Sequence, residues 1–317
     1  MKLTFLGTSS ATPTRKRNVS ALALTFIQRG AWWLFDCGEG TQHQILRSPL
    51  KLGRLEKIFI THLHGDHVFG LPGLLASRSL ADGADEAVTI YGPVGIKRFV
   101  DGAMGVTGTH LAYPLRIVEI QRPTTKISTV LHEAGARVDC APMVHGTATF
   151  GYAVVEDDKP GRLDVDGLRA LGVPAGPLYA RLKSGETVTL EDGRVVDGSQ
   201  FVGKDIVGRK VVIVGDTKPN ENIAALASDA DVMVHEATFM DEDAALANKA
   251  NHSTARQAGE AAAKAGALAL ILTHFSPRYD SAVDNRMPDL LTEAKAAFAN
   301  TLLAEDLWSF EVMRRNE

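Results

Sequence analysis

The sequence predicts a mixed α/β fold built on layered sheets rather than a plain doubly wound one. Three observations carry that expectation. Short apolar, β-branched runs recur along the whole chain, segments of helical period lie between them, and strands cluster early but alternate with helices late.

The first strand runs from Leu3 to Leu6, where apolar side chains enclose a threonine. Ala21 to Ile27, Trp32 to Asp36 and Lys57 to Thr61 follow, with a helix over Gly40 to Arg47 between the last two. A helix over Gly70 to Ser79 precedes a strand at Val88 to Tyr91, and Gly95 to Ala103 is again helical. Leu115 to Ile120, Arg137 to Met143 and Phe150 to Val155 read as strands. The last third alternates. Strands at Lys210 to Val214, Asp231 to His235 and Leu268 to Thr273 are separated by helices at Ile223 to Ser228 and Thr254 to Ala265, and a helix at Pro288 to Ala297 follows. Ser253 is the expected N-cap of the helix beginning at Thr254.

The segment from Glu156 to Gln200 stands apart. It is rich in Gly, Pro and charge and has one short helix candidate, Val165 to Leu171. Its composition leaves open a poorly ordered insert or a functional arm.

Composition excludes several classes. With 45% hydrophobic and 23% charged residues over 317 positions, the chain is not disordered, collagen-like or coiled-coil. Two cysteines cannot build a disulfide framework, so a reducing, cytoplasmic compartment is expected, with Cys37 and Cys140 buried and structural. The N-terminus lacks a signal peptide, and no stretch approaches the roughly 18 apolar residues of a membrane helix. A net charge of −4 weighs against a nucleic-acid partner as a whole-chain sum, but a phosphate responds to the local field.

The densest chemical signal is Thr61-His62-Leu63-His64-Gly65-Asp66-His67, directly after Ile58-Phe59-Ile60. Strand alternation points His62 and His64 the same way, and the turn after Gly65 carries Asp66 and His67 to a second location. Imidazole and carboxylate are the ligands expected for Zn²⁺ or a similar first-row divalent ion. Further candidates end other apolar runs: His145 after Met143-Val144, Asp216 after Val214-Gly215, and His274 after Leu272-Thr273. Each alone reads as a capping or surface residue. Together, at strand ends, they point to one site.

This pattern resembles the metallo-β-lactamase superfamily, which implies a four-layer αββα sandwich with a dinuclear metal site at one edge. More narrowly, the chain resembles short-form ribonuclease Z, the tRNA 3′-processing endonucleases. The resemblance runs through Phe5-Leu6-Gly7-Thr8, Pro13 to Asn18, Phe35-Asp36-Cys37-Gly38-Glu39-Gly40-Thr41-Gln42, the histidine motif with Gly70-Leu71-Pro72-Gly73-Leu74, Gly215-Asp216-Thr217, His235-Glu236-Ala237-Thr238 and His252-Ser253-Thr254. It implies two Zn²⁺ per subunit, with Mn²⁺ or Co²⁺ able to substitute. His62, His64 and His145 would hold one ion, Asp66, His67 and His274 the other, and Asp216 would bridge them. Asp66 would accept or orient the proton of the attacking water. His252, steadied by Glu236, would protonate the leaving oxygen.

The resemblance further implies precursor tRNA as substrate, no membrane partner, a homodimer, and one domain over residues 1–317 with 156–200 inserted as a protruding arm that carries Gly176 and Pro177 to the tRNA elbow. The arm departs from a simple basic patch: it holds nine acids and six bases, and bases outnumber acids only between Pro160 and Lys183. Arg15, Lys16 and Arg17 lie after the first strand and are expected to grip phosphates. Phe69 and the Leu71 to Leu75 helix read as core. Two other classes share some of these features. Another dinuclear-metal hydrolase, such as a phosphodiesterase or lactonase acting on small substrates, would need the metal ligands but neither the His-Glu-Ala-Thr motif nor the arm. A non-catalytic RNA-binding scaffold would be expected to have lost ligands.

Overall fold

The computed structural model describes residues 1–83, 85–121, 127–281 and 285–315. The described residues form two compact units: Met1–Val155 with Lys210–Val312, and Glu156–Arg209 with the residues from Met313 onward.

The first unit contains two seven-stranded sheets. One is built from β1 (Lys2–Gly7), β2 (Ala21–Phe26), β3 (Ala31–Phe35), β4 (Leu55–Phe59), β5 (Val88–Pro93) and β6 (Leu115–Ile120). The other uses β7 (Ser128–Glu133), β8 (Ala136–Val144) and β9 (Ala148–Glu156). The hairpin strands β10 (Thr187–Thr189) and β11 (Val195–Asp197) belong to the second unit. The second sheet continues with β12 (Lys210–Ile213), β13 (Val232–Glu236), β14 (Leu270–Thr273) and β15 (Thr301–Leu303), and β16 (Ser309–Glu311) returns to the edge of the first. The orders are β16-β1-β2-β3-β4-β5-β6 and β15-β14-β13-β12-β9-β8-β7.

Alternation along the strands makes the layers. In β3, Trp33 and Phe35 enter the core between the sheets, whereas Trp32 and Leu34 pack with helices Thr41–Leu46, Leu71–Arg78 and Ile96–Thr107. In β13, Val232 and Val234 face inward, while Met233 packs with helices Glu221–Leu226, Ala255–Ala265 and Met287–Ala297. The result is the αββα sandwich. Phe59 stacks on Phe35 and Tyr91 at 5.0 Å each and meets Tyr152 across the inter-sheet core. Truncating such a ring to alanine costs about 3–5 kcal/mol. Among the described residues no helix is long and apolar enough to cross a membrane.

Several elements differ from the sequence reading. The helix after His252 is capped by Thr254, not Ser253. The Thr254 hydroxyl accepts from Gln257 N, and the Gln257 side chain accepts from Thr254 N, a reciprocal capping box. Ser253 instead donates to the Thr217 carbonyl at 2.6 Å. The turn after Gly65 closes as a short helix, Gly65–Val68. Strands β7, β15 and β16 carry too little periodicity to be read in advance and are held by their neighbours.

The second unit has its own apolar core, made of Leu168, Val173, Leu182, Val188, Leu190 and Val196. Composition underestimated this because those side chains are spread thinly between Gly, Pro and charged positions. The unit extends to Arg209, beyond the Gln200 boundary read from sequence, because the returning chain pairs Leu163 with Val202 and Lys159 with Ile206. Arg209 and Arg314 both bind the Glu156 carboxylate, at 2.8 Å and 3.1 Å. Helix Pro177–Lys183 follows Gly176, whose φ of 152° suits only glycine, and Pro177 fills the first helical position, where no N–H is needed.

Candidate metal centre and active site

Strand direction gathers the predicted ligands at one edge. Strands β12, β13 and β14 are parallel and in register, with Ile213 opposite Val234 and Glu236 opposite Thr273, so Asp216, Glu236 and His274 leave from a common edge. His145 lies in the turn joining β8 to β9, and β9 is antiparallel to β12, so this turn opens at the same edge. The histidine motif follows β4 in the facing sheet. Two bonds join the sheets there: Phe150 N donates to Thr61 O at 2.9 Å, and the Tyr152 hydroxyl to Ile60 O at 2.7 Å.

The seven candidate ligands converge. His64 Nδ1 lies 3.0 Å from His62 Nε2 and 3.2 Å from His145 Nε2. In a second group, His274 Nε2 is 3.4 Å from both His67 Nε2 and Asp66 Oδ2. Asp216 Oδ2 stands between them, 3.7 Å from His62, 3.4 Å from His67 and 3.2 Å from His274.

The outer hydrogen bonds assign the tautomers. His67 Nδ1–H donates to Asp36 Oδ2 at 2.8 Å. His62 Nδ1–H donates to Thr61 Oγ1 at 3.0 Å, and that hydroxyl donates on to Asp36. His145 Nδ1–H donates to the Asn251 carbonyl at 2.8 Å, and His274 Nδ1–H to Thr238 Oγ1 at 2.9 Å. Four imidazoles therefore turn lone-pair Nε2 atoms toward two carboxylates. Lone pairs this close repel unless protons or cations lie between them, so the donor set fits divalent ions. Asp36 and His274 both hold positive φ, 57° and 58°, strain the surrounding structure maintains at this edge.

The electrostatics follow from burial and proximity. Burial disfavours ionised Asp216, but His274 and His67 outweigh it and hold its pKa well below the usual carboxylate range. Ala11 N donates to Asp66 Oδ2 at 2.8 Å, tying the loop after β1 to the site. His252 Nδ1 lies 2.9 Å from both Glu236 oxygens. Burial works against a charged His252 ring, and the Glu236 carboxylate more than offsets it, lifting the pKa to about 9. Glu236 also accepts from Thr217 N at 2.7 Å and from the Thr238 hydroxyl at 2.5 Å, which fixes its orientation. The His252 ring sits 4.8 Å from that of His145 and 5.5 Å from that of His274.

The comparisons with known proteins agree with this architecture. Residues 1–98 match the family described as anti-Pycsar protein Apyc1, and residues 177–275 match the beta-lactamase superfamily domain. The chain is 50% identical over 315 residues to a ribonuclease Z of Brevibacillus brevis, covering 99% of this chain and 98% of that one. It is 48% identical to a ribonuclease BN of Proteus mirabilis, covering 98% of this chain and 100% of that one. The chain belongs to the ribonuclease Z family. Its members are hydrolytic endoribonucleases of the metallo-β-lactamase superfamily, whose fold implies use of divalent metal. Among solved structures, the short form of human tRNase Z superposes with a TM-score of 0.72 at 31% identity, over 99% of this chain and 100% of that one.

Not every residue singled out in the sequence joins the site. Arg17 is buried: its guanidinium donates to Thr8 Oγ1, the Ala304 carbonyl and Asp280 Oδ2 at 2.7–2.8 Å. It is a structural tie, and its charge is already paired, which corrects its assignment to phosphate binding. Lys16 is exposed and 3.3 Å from Asp280, and Arg15 is exposed. Gly176 and Pro177 lie in the second compact unit, both exposed, at the start of its helix Pro177–Lys183. Leu71, Leu74 and Leu75 are core, but Phe69 is 63% exposed, contrary to the reading from period. Asp36, Thr61, Thr238 and Asn251, which orient the histidines, were not assigned from sequence. Asp36, Thr61 and Thr238 sit inside motifs that marked the family, and that was the available signal.

Proposed function

We propose that this chain is a zinc-dependent endoribonuclease that removes the 3′ trailer of precursor tRNA and leaves a 3′-hydroxyl on the tRNA. The observation that carries the reading is the His252–Glu236 pair beside a seven-residue cluster of metal-type ligands, in a chain half identical to ribonuclease Z over its length. His62, His64 and His145 would hold one Zn²⁺, and Asp66, His67 and His274 a second, with Asp216 shared. Mn²⁺ or Co²⁺ suits the same donors. When bound, such ions supply charge stabilisation at the phosphoryl oxygens and acidify water.

The chain's own groups supply the proton chemistry. Asp66, ionised and anchored by Ala11 N, orients the attacking water and accepts its proton. Water oxygen bonds to phosphorus as the bond to the ribose 3′ oxygen breaks. That oxygen leaves with a proton from His252, held protonated by Glu236. The arm at 156–200 binds the tRNA elbow through its exposed surface around Gly176 and Pro177, Arg15 and Lys16 contact backbone phosphates, and the enzyme works as a cytoplasmic homodimer.

The test combines metal analysis with an assay on a precursor tRNA bearing a 3′ trailer and on bis-p-nitrophenyl phosphate. About two metal ions per chain and cleavage after the discriminator nucleotide support the proposal. Hydrolysis confined to small esters would transfer the chain to the small-substrate hydrolases of the superfamily.

A further inference from the structure

Phe69 presents a problem that the cluster of ligands does not solve. Its ring is 63% exposed, two residues beyond His67. It does not belong to the helix-side core, where Leu63 and Phe99 are packed. It is nevertheless held in place. Its ring lies against the backbone of Gly65, so closely that a Cβ there would come within 2.2 Å of Phe69 Cε2. Phe69 N also donates to Gly65 O at 2.9 Å, closing the short helix that carries Asp66 and His67. The Phe99 ring lies 6.4 Å away, centre to centre, and is tilted by 31° to it. A fixed, exposed aromatic ring therefore abuts the turn between exposed His64 and half-buried Asp66.

We infer that Phe69 is a stacking platform for an unpaired nucleobase next to the cleaved phosphodiester. The inference rests on the reading of this edge as an RNA-cleaving site. A phosphodiester bound at the His64–Asp66 turn carries a nucleoside on each side, within reach of groups a few ångströms from the turn. Every base offers a π-face, and a ring pre-set against Gly65 loses little freedom when a base stacks on it. An exposed ring in water gains from that cover whatever the base, so the platform favours unpaired over paired flanking nucleotides rather than one sequence. Gly65 takes a specific part: with no side chain, it leaves room for the ring to lie against the turn.

The test uses Phe69→Leu, which keeps an apolar cover over Gly65 but has no π-face, and Phe69→Trp, which restores one. Metal content and thermal midpoint are measured for each. The kcat/KM on precursor tRNA, taken relative to that on methyl p-nitrophenyl phosphate, is expected to fall about tenfold in Phe69→Leu and to recover in Phe69→Trp. Substrates made abasic at the nucleotide before or after the cleaved bond locate the partner. One of them should cost the wild type about tenfold and Phe69→Leu almost nothing further. An unchanged ratio in Phe69→Leu, equal loss in the leucine and tryptophan variants, or full additivity with both abasic substrates overturns the platform. A wild-type enzyme that fails to cleave precursor tRNA overturns the reading of the site as well, so the two failures are told apart.

Discussion

Replacing His252 by alanine tests the proton-donor role, because the geometry states where the loss must appear. The imidazole is oriented by Glu236 at 2.9 Å through Nδ1, leaving Nε2 as the nitrogen that can deliver a proton. The Glu236 carboxylate lifts the pKa of the ring from the ordinary 6.5 to about 9, which favours the protonated form at pH 7. A ribose oxygen is a poor leaving group without a proton, and a positioned general acid contributes about 10²–10⁴-fold. His252→Ala should therefore lower kcat on precursor tRNA by at least about 10²-fold while all seven candidate ligands remain. An aryl oxygen departs as a stable anion, so the loss on bis-p-nitrophenyl phosphate should be smaller by at least about tenfold. The assay is single-turnover cleavage of both substrates by protein whose metal content has been measured. Equal losses on the two substrates, or full tRNA cleavage with metal retained, would refute the role. Loss of metal in the variant would make His252 a ligand instead, in keeping with its position between His145 and His274.

Other perturbations separate support from chemistry. Asp36→Asn leaves the ligands in place but weakens the acceptor that fixes His67 and, through Thr61, His62; metal affinity should fall about 10–100-fold in a chelator competition. Arg17→Ala should lower stability by about 2–4 kcal/mol in denaturant unfolding, since it removes the guanidinium's buried bonds to Thr8, Ala304 and Asp280, whereas Arg15→Ala should leave the midpoint in place and reduce the salt slope of tRNA binding by about one. Glu156 is partly buried, which disfavours its charge, yet Arg209 and Arg314 hold its pKa below the ordinary 4.5. Its contribution is therefore present above that value and lost as pH falls through the lower folded value. Amide protection factors in 156–209, taken relative to the intrinsic exchange rate at each pH, should fall on acidification, and less so in Glu156→Gln. Excising 157–208 and joining Glu156 to Arg209 with a short Gly-Ser turn, across a backbone bond of 2.9 Å, should sharply weaken tRNA binding and spare hydrolysis of the small diester; unchanged affinity would remove the arm from substrate binding.

Much of this protein was legible in its residues. The apolar runs located strands β1 to β6, β8, β9 and β12 to β14: a strand buried on both faces, such as β3, needs apolar side chains throughout, and one with a wet face, such as β6, still alternates. The histidine motif declared divalent-metal chemistry, since three imidazoles and a carboxylate at one strand end have few other uses. Sequence alone could not give charge pairing or exposure. Arg15, Lys16 and Arg17 read alike as a basic run, and only the fold brings Asp280 and the Ala304 carbonyl to Arg17, turning one of the three into a buried tie. Phe69 fits a helical period that would bury it, yet the tight turn at Gly65 leaves it facing water. Asp36 lies far from His67 in the chain, and only the pairing of β3 with β4 makes it the acceptor that turns His67 toward the site. Local period and ligand type are properties of neighbours in sequence, whereas the partner of a charge, the tautomer of an imidazole and the exposure of a ring are set by what the fold brings beside them.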